Sequence, residues 1–361
     1  MGRLSPEEAL ALFQSPWAEL KQRAHARRSE IVPGHQATYL VMRIVSVTNV
    51  CVADCSYCAF YRRPGDPEAY VLTNEQIFQK IDELRSAGGS LVAMEGGFNP
   101  LLKIDHYEKL FRKIRDRYSD TIEIYGPTAV EVLYIANHSQ ISIDEALGRL
   151  WDAGLRWIPG GGAEILTPEW RKKLSPRKYS VEQYFKVMET AQKKGFGTTA
   201  TMVIGFGENP EARVEHLQKV RELQDQTGGF KSFLCWTYQP DHTVLAGERV
   251  PNDEYLKTIA VSRLFLDNIP HLRTSLLTQG EKGVEALFCG ADDFDIALED
   301  QVTQKAGVKI EPDIQKVLGW VENVGMRPVK REPWQMSLTP PSLPLLQGEE
   351  PSIPPLGVRG G

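Results

Sequence analysis

The chain has 361 residues, 42% of them hydrophobic, and its 42 basic and 47 acidic side chains give a net charge of −5. That length fills a large core, as one α/β barrel or two modest domains, and excludes a small scaffold held together by staples. Charges of both signs are interspersed, which argues against a nucleic-acid partner, and no apolar run approaches the roughly 18 residues that span a bilayer.

The first twenty residues carry acids and lack a cleavable apolar region, so a cytoplasmic protein without signal peptide or anchor is expected. In chain order, Ser5 with Glu8 three residues on predicts a capped helix over "SPEEALALFQ", followed by a basic segment, "KQRAHARRSE", that reads as mobile; residues 1–36 make an N-terminal helical extension. "ATYLVMRIVSVTNV" predicts a strand, "NEQIFQKIDELRSAGG" an amphipathic helix closed by glycines, and "SLVAMEGG" a buried strand ending in a glycine turn. The alternation continues through helix "DHYEKLFRKIRDRY", strand "TIEIYG", helix "SIDEALGRLWDAG", strand "RWIPGGG", helix "VEQYFKVMETAQKKG" and strand "TTATMVIGF". Helix "NPEARVEHLQKVRELQDQTGG", strand "FKSFLCWTYQ", helix "NDEYLKTIAVSRLFLDN" and strand "HLRTSLLT" complete it. About seven or eight strands alternating with helices predict the α/β class, with a parallel sheet wound into a full or partial TIM-type barrel over 37–331; an open doubly wound sheet is the alternative. Residues 332–361, rich in Pro and Gly without period, read as a disordered tail.

Three of the five cysteines, Cys51, Cys55 and Cys58, sit in "VTNVCVADCSYCAFYRR", directly after the first predicted strand. A loop lets three thiolates converge, whereas a helix would point them apart. One buried cysteine is ordinary packing; three at this spacing suggest a metal centre. Structural zinc takes four ligands, and no second cysteine pair or neighbouring histidine supplies the fourth, the nearest in sequence being His35 and His106. An iron-sulfur cluster on three cysteines leaves one iron for a small molecule. Cys235 and Cys289 read as small buried side chains, and the absence of a disulfide framework suits a reducing compartment.

The C-x3-C-x-aromatic-C run resembles the radical S-adenosylmethionine (SAM) enzymes. That resemblance implies a 4Fe-4S cluster on Cys51, Cys55 and Cys58, whose open iron binds SAM and, when reduced, cleaves it to a 5′-deoxyadenosyl radical. It places Tyr57 against the adenine, and Glu95, Gly96 and Gly97 of "AMEGGFNP" at the methionine end. Glu208, after "GFG", falls where an acid meets the SAM ribose, with helix capping as the alternative. Further stretches, "CAFYRR", "IPGGGAEIL", "TTATMVIGFGE" and "WTYQPDHTVLAG", resemble the menaquinone-pathway branch, over roughly residues 35 to 310. The branch includes cyclic dehypoxanthinyl futalosine synthases, aminofutalosine synthases and the F0 synthase subunits, and "CAFYRR" with the Trp of "WTYQP" is closer to the first. The implied reaction on dehypoxanthine futalosine removes the ribose C4′ hydrogen, adds the carbon radical to the benzoate ring, and loses an electron and a proton. A low-potential donor such as flavodoxin or ferredoxin is implied as partner.

For the nucleoside substrate, Gly160, Gly161 and Gly162 allow close backbone approach, and Glu164 offers a carboxylate to ribose hydroxyls. Thr199 on the fifth predicted strand, and Trp236 and Gln239 at the end of the sixth, are further candidates; Arg62, Arg63 or Arg273 offers a fork for a carboxylate. Each also has a packing or capping explanation. The chain departs from the family pattern at "EGGFNP", where Gln-Gly-Gly and then His-Pro are expected, at "TIEIYGPTAVEV" and at "GADDFDIALED". An enzyme is one hypothesis; a non-catalytic iron-sulfur or zinc protein is the other.

Overall fold

The computed structural model describes residues 2–333. Eight parallel strands close on themselves: β1 (Gln36–Ser46), β2 (Leu91–Glu95), β3 (Glu123–Tyr125), β4 (Trp157–Ile158), β5 (Gly197–Ile204), β6 (Phe230–Thr237), β7 (His271–Thr274) and β8 (Asp293–Ala297). Closure falls to β1, the longest, which pairs from Met42↔Leu91 to Ser46↔Glu95 with β2 and from Thr38↔Asp293 to Met42↔Ala297 with β8. The barrel is therefore full rather than partial. A ninth parallel strand, β9 (Arg327–Lys330), lies on the first residues of β1.

Each strand has one side facing the helices and one facing the lumen, so two apolar cores form. The larger packs helices on the outside of the sheet; the smaller, including Leu40, Met42, Leu91, Tyr125 and Trp157, fills the lower lumen. Helices begin where capping predicts: Ser5 and Glu8 make the expected capping box, as do Thr73 with Gln76 and Ser180 with Gln183.

The basic segment that reads as mobile is instead helical, Trp17–Ile31, because Leu20, Ala24 and Arg28 recur every four residues and bury one stripe against the barrel. Arg28 belongs to that stripe, donating to the carbonyls of Ala291, Val32 and Gly34 at 3.1, 3.3 and 3.1 Å. Two further elements escape the periodicity argument. Helix Ala129–Ser139 is buried on most sides and so lacks an amphipathic stripe. Strand β8 alternates the other way: Asp293 and Asp295 turn inward while Phe294 and Ile296 pack outward.

Cys235 and Cys289 are buried, as expected of small core side chains. No helix among the described residues is long and apolar enough to cross a membrane. The expected tail lies outside the described residues from 334 on.

Candidate active site

The cysteine loop follows β1 at the end of the barrel where all strands terminate. It is tied down on several sides: Cys51 N donates to Arg62 O (2.9 Å), Val52 N to Phe98 O (3.1 Å), Ser56 N to Leu174 O (3.1 Å), and Leu245 N to Ser56 O (2.8 Å). Cys51 Sγ accepts from the backbone N–H groups of Ala53 (3.4 Å) and Phe98 (3.3 Å). Burial pushes the Cys55 thiol up to about 11; it also raises Cys58, which receives backbone donors from Phe60 and Tyr61 and feels Cys51. Burial thus favours the thiol forms, so loading metal releases protons. Among the described residues no three Cys, His, Asp or Glu side chains meet at one point as a single metal ion requires. Thiolates that each bind a different iron surround a volume instead, and the donor set fits a cluster.

Gly96 and Gly97 follow β2 directly beneath this loop. A Cβ on Gly97 would lie 2.5 Å from Val50 O and 2.7 Å from the Cys51 Cβ, so only glycine lets the two strand ends meet. The Gly97 carbonyl accepts from Asn99 N (2.8 Å), and the Gly96 N–H is held by the buried Glu131 carboxylate, itself fixed by Thr128 Oγ1 at 2.6 Å.

Beneath the loop the lumen opens as a cavity of about 170 Å³. Strand alternation sets its lining in pairs, Thr201 and Val203 on β5, Leu234 and Trp236 on β6, Asp295 and Ala297 on β8. Glu95, Gly161, Gly162, Glu164 and Arg273 also face it. Gly162 (φ +84°) and Glu164 (φ +45°) adopt the left-handed region, which turns the Glu164 carboxylate toward the cavity. That carboxylate accepts from Arg171 Nη1 (2.8 Å) and Lys178 Nζ (3.1 Å). Burial alone would raise its pKa, but Lys178 and Arg171 outweigh that and hold it below the usual range. Lys178 also donates to Tyr57 Oη at 2.6 Å, so a chain of contacts runs from the cysteine loop to the cavity wall.

The other candidates stand back. Thr199 lies one layer deeper, bonded through its hydroxyl to Tyr125 Oη at 2.5 Å, while Thr201 takes the cavity position. Gly160 supports the wall from behind: its carbonyl accepts from Tyr184 Oη (2.9 Å) and Thr201 Oγ1 (2.6 Å). Gln239 turns its amide N–H to Thr237 at 3.1 Å and does not line the cavity. Glu208 is committed elsewhere: its fully enclosed carboxylate accepts from Gly205 N (3.0 Å), Phe206 N (2.8 Å) and Arg213 Nε (2.8 Å), closing the turn after β5. Arg62 and Arg63 are spent on Glu68 and Asp54, leaving Arg273 as the arginine at the cavity, beside Asp293 and Asp295.

Among the described residues lining the cavity, three side-chain groups are unmet. The Trp236 Nε1–H and the Arg273 Nε–H are buried donors without a hydrogen-bond partner, and Asp295 Oδ1 is a buried acceptor without one. Lys178 and Arg171 are not among the sequence-derived candidates: both lie in "EWRKKLSPRKYS", where nothing along the chain ties them to Glu164.

Comparison with known proteins agrees with this geometry. Residues 45–220 match the radical SAM superfamily, and residues 227–340 match the CofH/MqnC C-terminal region. The chain is 41% identical to a cyclic dehypoxanthine futalosine synthase of Halalkalibacterium halodurans, over 91% of this chain and 90% of that one. Its identity to the protein of that name from Streptomyces coelicolor is 37%, covering 91% and 84%, and to an aminodeoxyfutalosine synthase of that organism 32%, covering 91% and 89%. In fold, the crystal structure of methylornithine synthase (PylB) superposes with a TM-score of 0.72 at 20% identity, over 91% of this chain and 95% of that one.

Proposed function

Since the chain belongs to the radical SAM superfamily, in the family of the cyclic dehypoxanthine futalosine synthases, we propose that it converts dehypoxanthine futalosine to the spirocyclic product in menaquinone biosynthesis. The observation that carries this reading is the continuity of the site: the three-cysteine loop connects through Tyr57, Lys178 and Glu164 to an enclosed cavity.

Cys51, Cys55 and Cys58 would hold a 4Fe-4S cluster, with Tyr57 and the Gly96-Gly97 turn beside the sulfonium nucleotide. When bound, the pair supplies a carbon radical able to remove hydrogen from an unactivated C–H bond. The protein's share is position and exclusion of water. Glu164 stays ionised at the rim and offers its carboxylate to ribose hydroxyls. Gly161 and Gly162 leave room for the nucleoside to approach the wall. Lower down, Arg273 and Trp236 each line the cavity with an N–H that has no hydrogen-bond partner among the described residues, and an aryl carboxylate is an acceptor either could hold. Glu208 supports the turn after β5 rather than touching a ligand. The barrel, 37–331, acts as one catalytic unit with residues 1–36 as a helical extension, in the cytoplasm, reduced by a low-potential carrier such as flavodoxin or ferredoxin.

Anaerobic reconstitution followed by electron paramagnetic resonance tests the cluster: the signal should change when SAM is added. Turnover of C4′-deuterated dehypoxanthine futalosine should place deuterium in 5′-deoxyadenosine alongside the cyclised product. An unlabelled nucleoside, or a colourless protein that loads zinc, would overturn the proposal.

A further inference from the structure

Re-forming an aromatic ring after a carbon radical has added to it requires two departures. The attacked ring carbon loses its hydrogen as a proton, and the cyclohexadienyl radical loses one electron. The proton needs a base in a cavity whose wall is mostly apolar, and the acids facing that cavity are few.

Glu164 is held by Arg171 and Lys178, and Asp295 is ion-paired to Arg273 through Oδ2 with only its Oδ1 open; the Tyr125 hydroxyl is bonded to Thr199. Glu95 differs. It ends β2 at the boundary between the cysteine loop and the lumen, lines the cavity, and among the described residues no hydrogen bond or ion pair reaches its carboxyl. Its neighbours repel a second charge: Glu131 comes from helix Ala129–Ser139 and Asp300 from the turn after β8. Tyr125 on β3 faces it as well, and Arg273, Asp295 and Glu164 share the cavity wall.

The geometry points to Glu95 as the catalytic base that takes the ring proton in the last step, and this rests on the reading under Proposed function. The C–C bond forms between the ribose carbon radical and the ring, the ring C–H bond breaks with its proton going to the Glu95 carboxylate, and the electron goes to a one-electron oxidant of the iron-sulfur class. Burial, with Glu131 and Asp300 adding to it, pushes the Glu95 carboxyl up to about 8. Below that value the group is protonated and cannot accept, so cyclisation should rise with pH and level off above about 8.

The test uses reconstituted holoenzyme with SAM, reductant and C4′-deuterated dehypoxanthine futalosine. Glu95→Gln should still deliver deuterium to 5′-deoxyadenosine while cyclised product falls by about 100-fold or more, with the rise in the pH profile lost. Glu95→Asp should restore part of the product. Infrared spectra of the protein without cofactors should show a carboxyl band that titrates in the wild type near pH 8 and is missing from Glu95→Gln. Cyclisation at the wild-type rate in Glu95→Gln, or loss of SAM binding and nucleoside formation together with cyclisation, would overturn the assignment alone; the second result would mark Glu95 as a cofactor ligand. A wild-type enzyme that transfers no deuterium overturns the functional reading and this assignment with it.

Discussion

At the lower end of the barrel, Arg331 grips Asp293 through Nε at 2.7 Å and Nη2 at 2.6 Å, and Asp292 sits between Arg263 and His271. At the upper end, Glu164 shares two cations while Glu95, two strands away, has none. Asp292, Asp293 and Glu164 are all buried and all paired, whereas Glu95 is half-buried at the cavity and unpaired among the described residues, so what sets the upper end apart is an acid left without a partner. Below, the acids' oxygens are met by backbone and side chains, including Thr38 Oγ1 on Asp293 at 2.6 Å and Leu272 N on Asp292 at 2.8 Å, although Arg331 Nη1 is left without a partner among the described residues. A buried polar group left without a partner costs about 1–3 kcal/mol, so a ligand that meets the open groups at the cavity would recover that cost.

The sharpest way to break the comparison is at the cysteine loop. Cys55→Ala removes one of three thiolates from a loop whose backbone contacts persist. The expected outcome is a folded, colourless protein with no product above background, checked by iron content and the visible absorption of the reconstituted sample. Wild-type activity in this variant would remove the cluster from the account.

The lower end should fail differently. Arg331→Met leaves Asp293 enclosed with Thr38 at hydrogen-bond distance and Arg273 Nε 3.7 Å away, and breaking a buried pair costs about 3–5 kcal/mol. Denaturant unfolding should show that loss, with turnover per folded molecule unchanged because Arg331 lies outside the upper cavity. A fall in turnover with intact stability would mean the two ends are not separate.

Lys178→Met tests the link between them and the cofactor. It parts Tyr57 from Glu164 but leaves Arg171 in place, so the loss is confined to charge-assisted hydrogen bonds worth about 1.5–3 kcal/mol. SAM affinity, measured by equilibrium binding to the reconstituted protein, should fall by roughly ten- to a hundredfold.

These contrasts explain which features the sequence exposes. The strand and helix alternation was readable because each amphipathic helix, such as Ile104–Tyr118, buries a single stripe. The cysteine loop was readable because spacing itself carries the chemistry. Helix Ala129–Ser139 and strand β8 were not, since one is apolar nearly all round and the other points its charges inward, reversing the usual pattern. Residues such as Lys178 and Arg171 acquire meaning only from Glu164, which lies 14 and 7 positions away along the chain. The glycines show the limit from the other side: Gly97 was read as a ligand-facing turn, while its missing side chain is what seats the Cys51 loop. Likewise the acid after "GFG" was legible as an acid, yet its three donors are all internal.

The smallest expected effect probes the unmet donors directly. Trp236→Phe keeps an aromatic face in the cavity and deletes only the indole N–H, which has no partner in the protein. Stability should therefore hold or rise slightly, because an unsatisfied buried donor is gone. If that N–H holds the substrate's carboxylate, the apparent KM should increase by about tenfold, the worth of one ordinary hydrogen bond, while the pH profile set by Glu95 stays where it is. A change in kcat without a change in KM would instead place the indole at the reacting ring, and the carboxylate would then have to be sought at Arg273 alone.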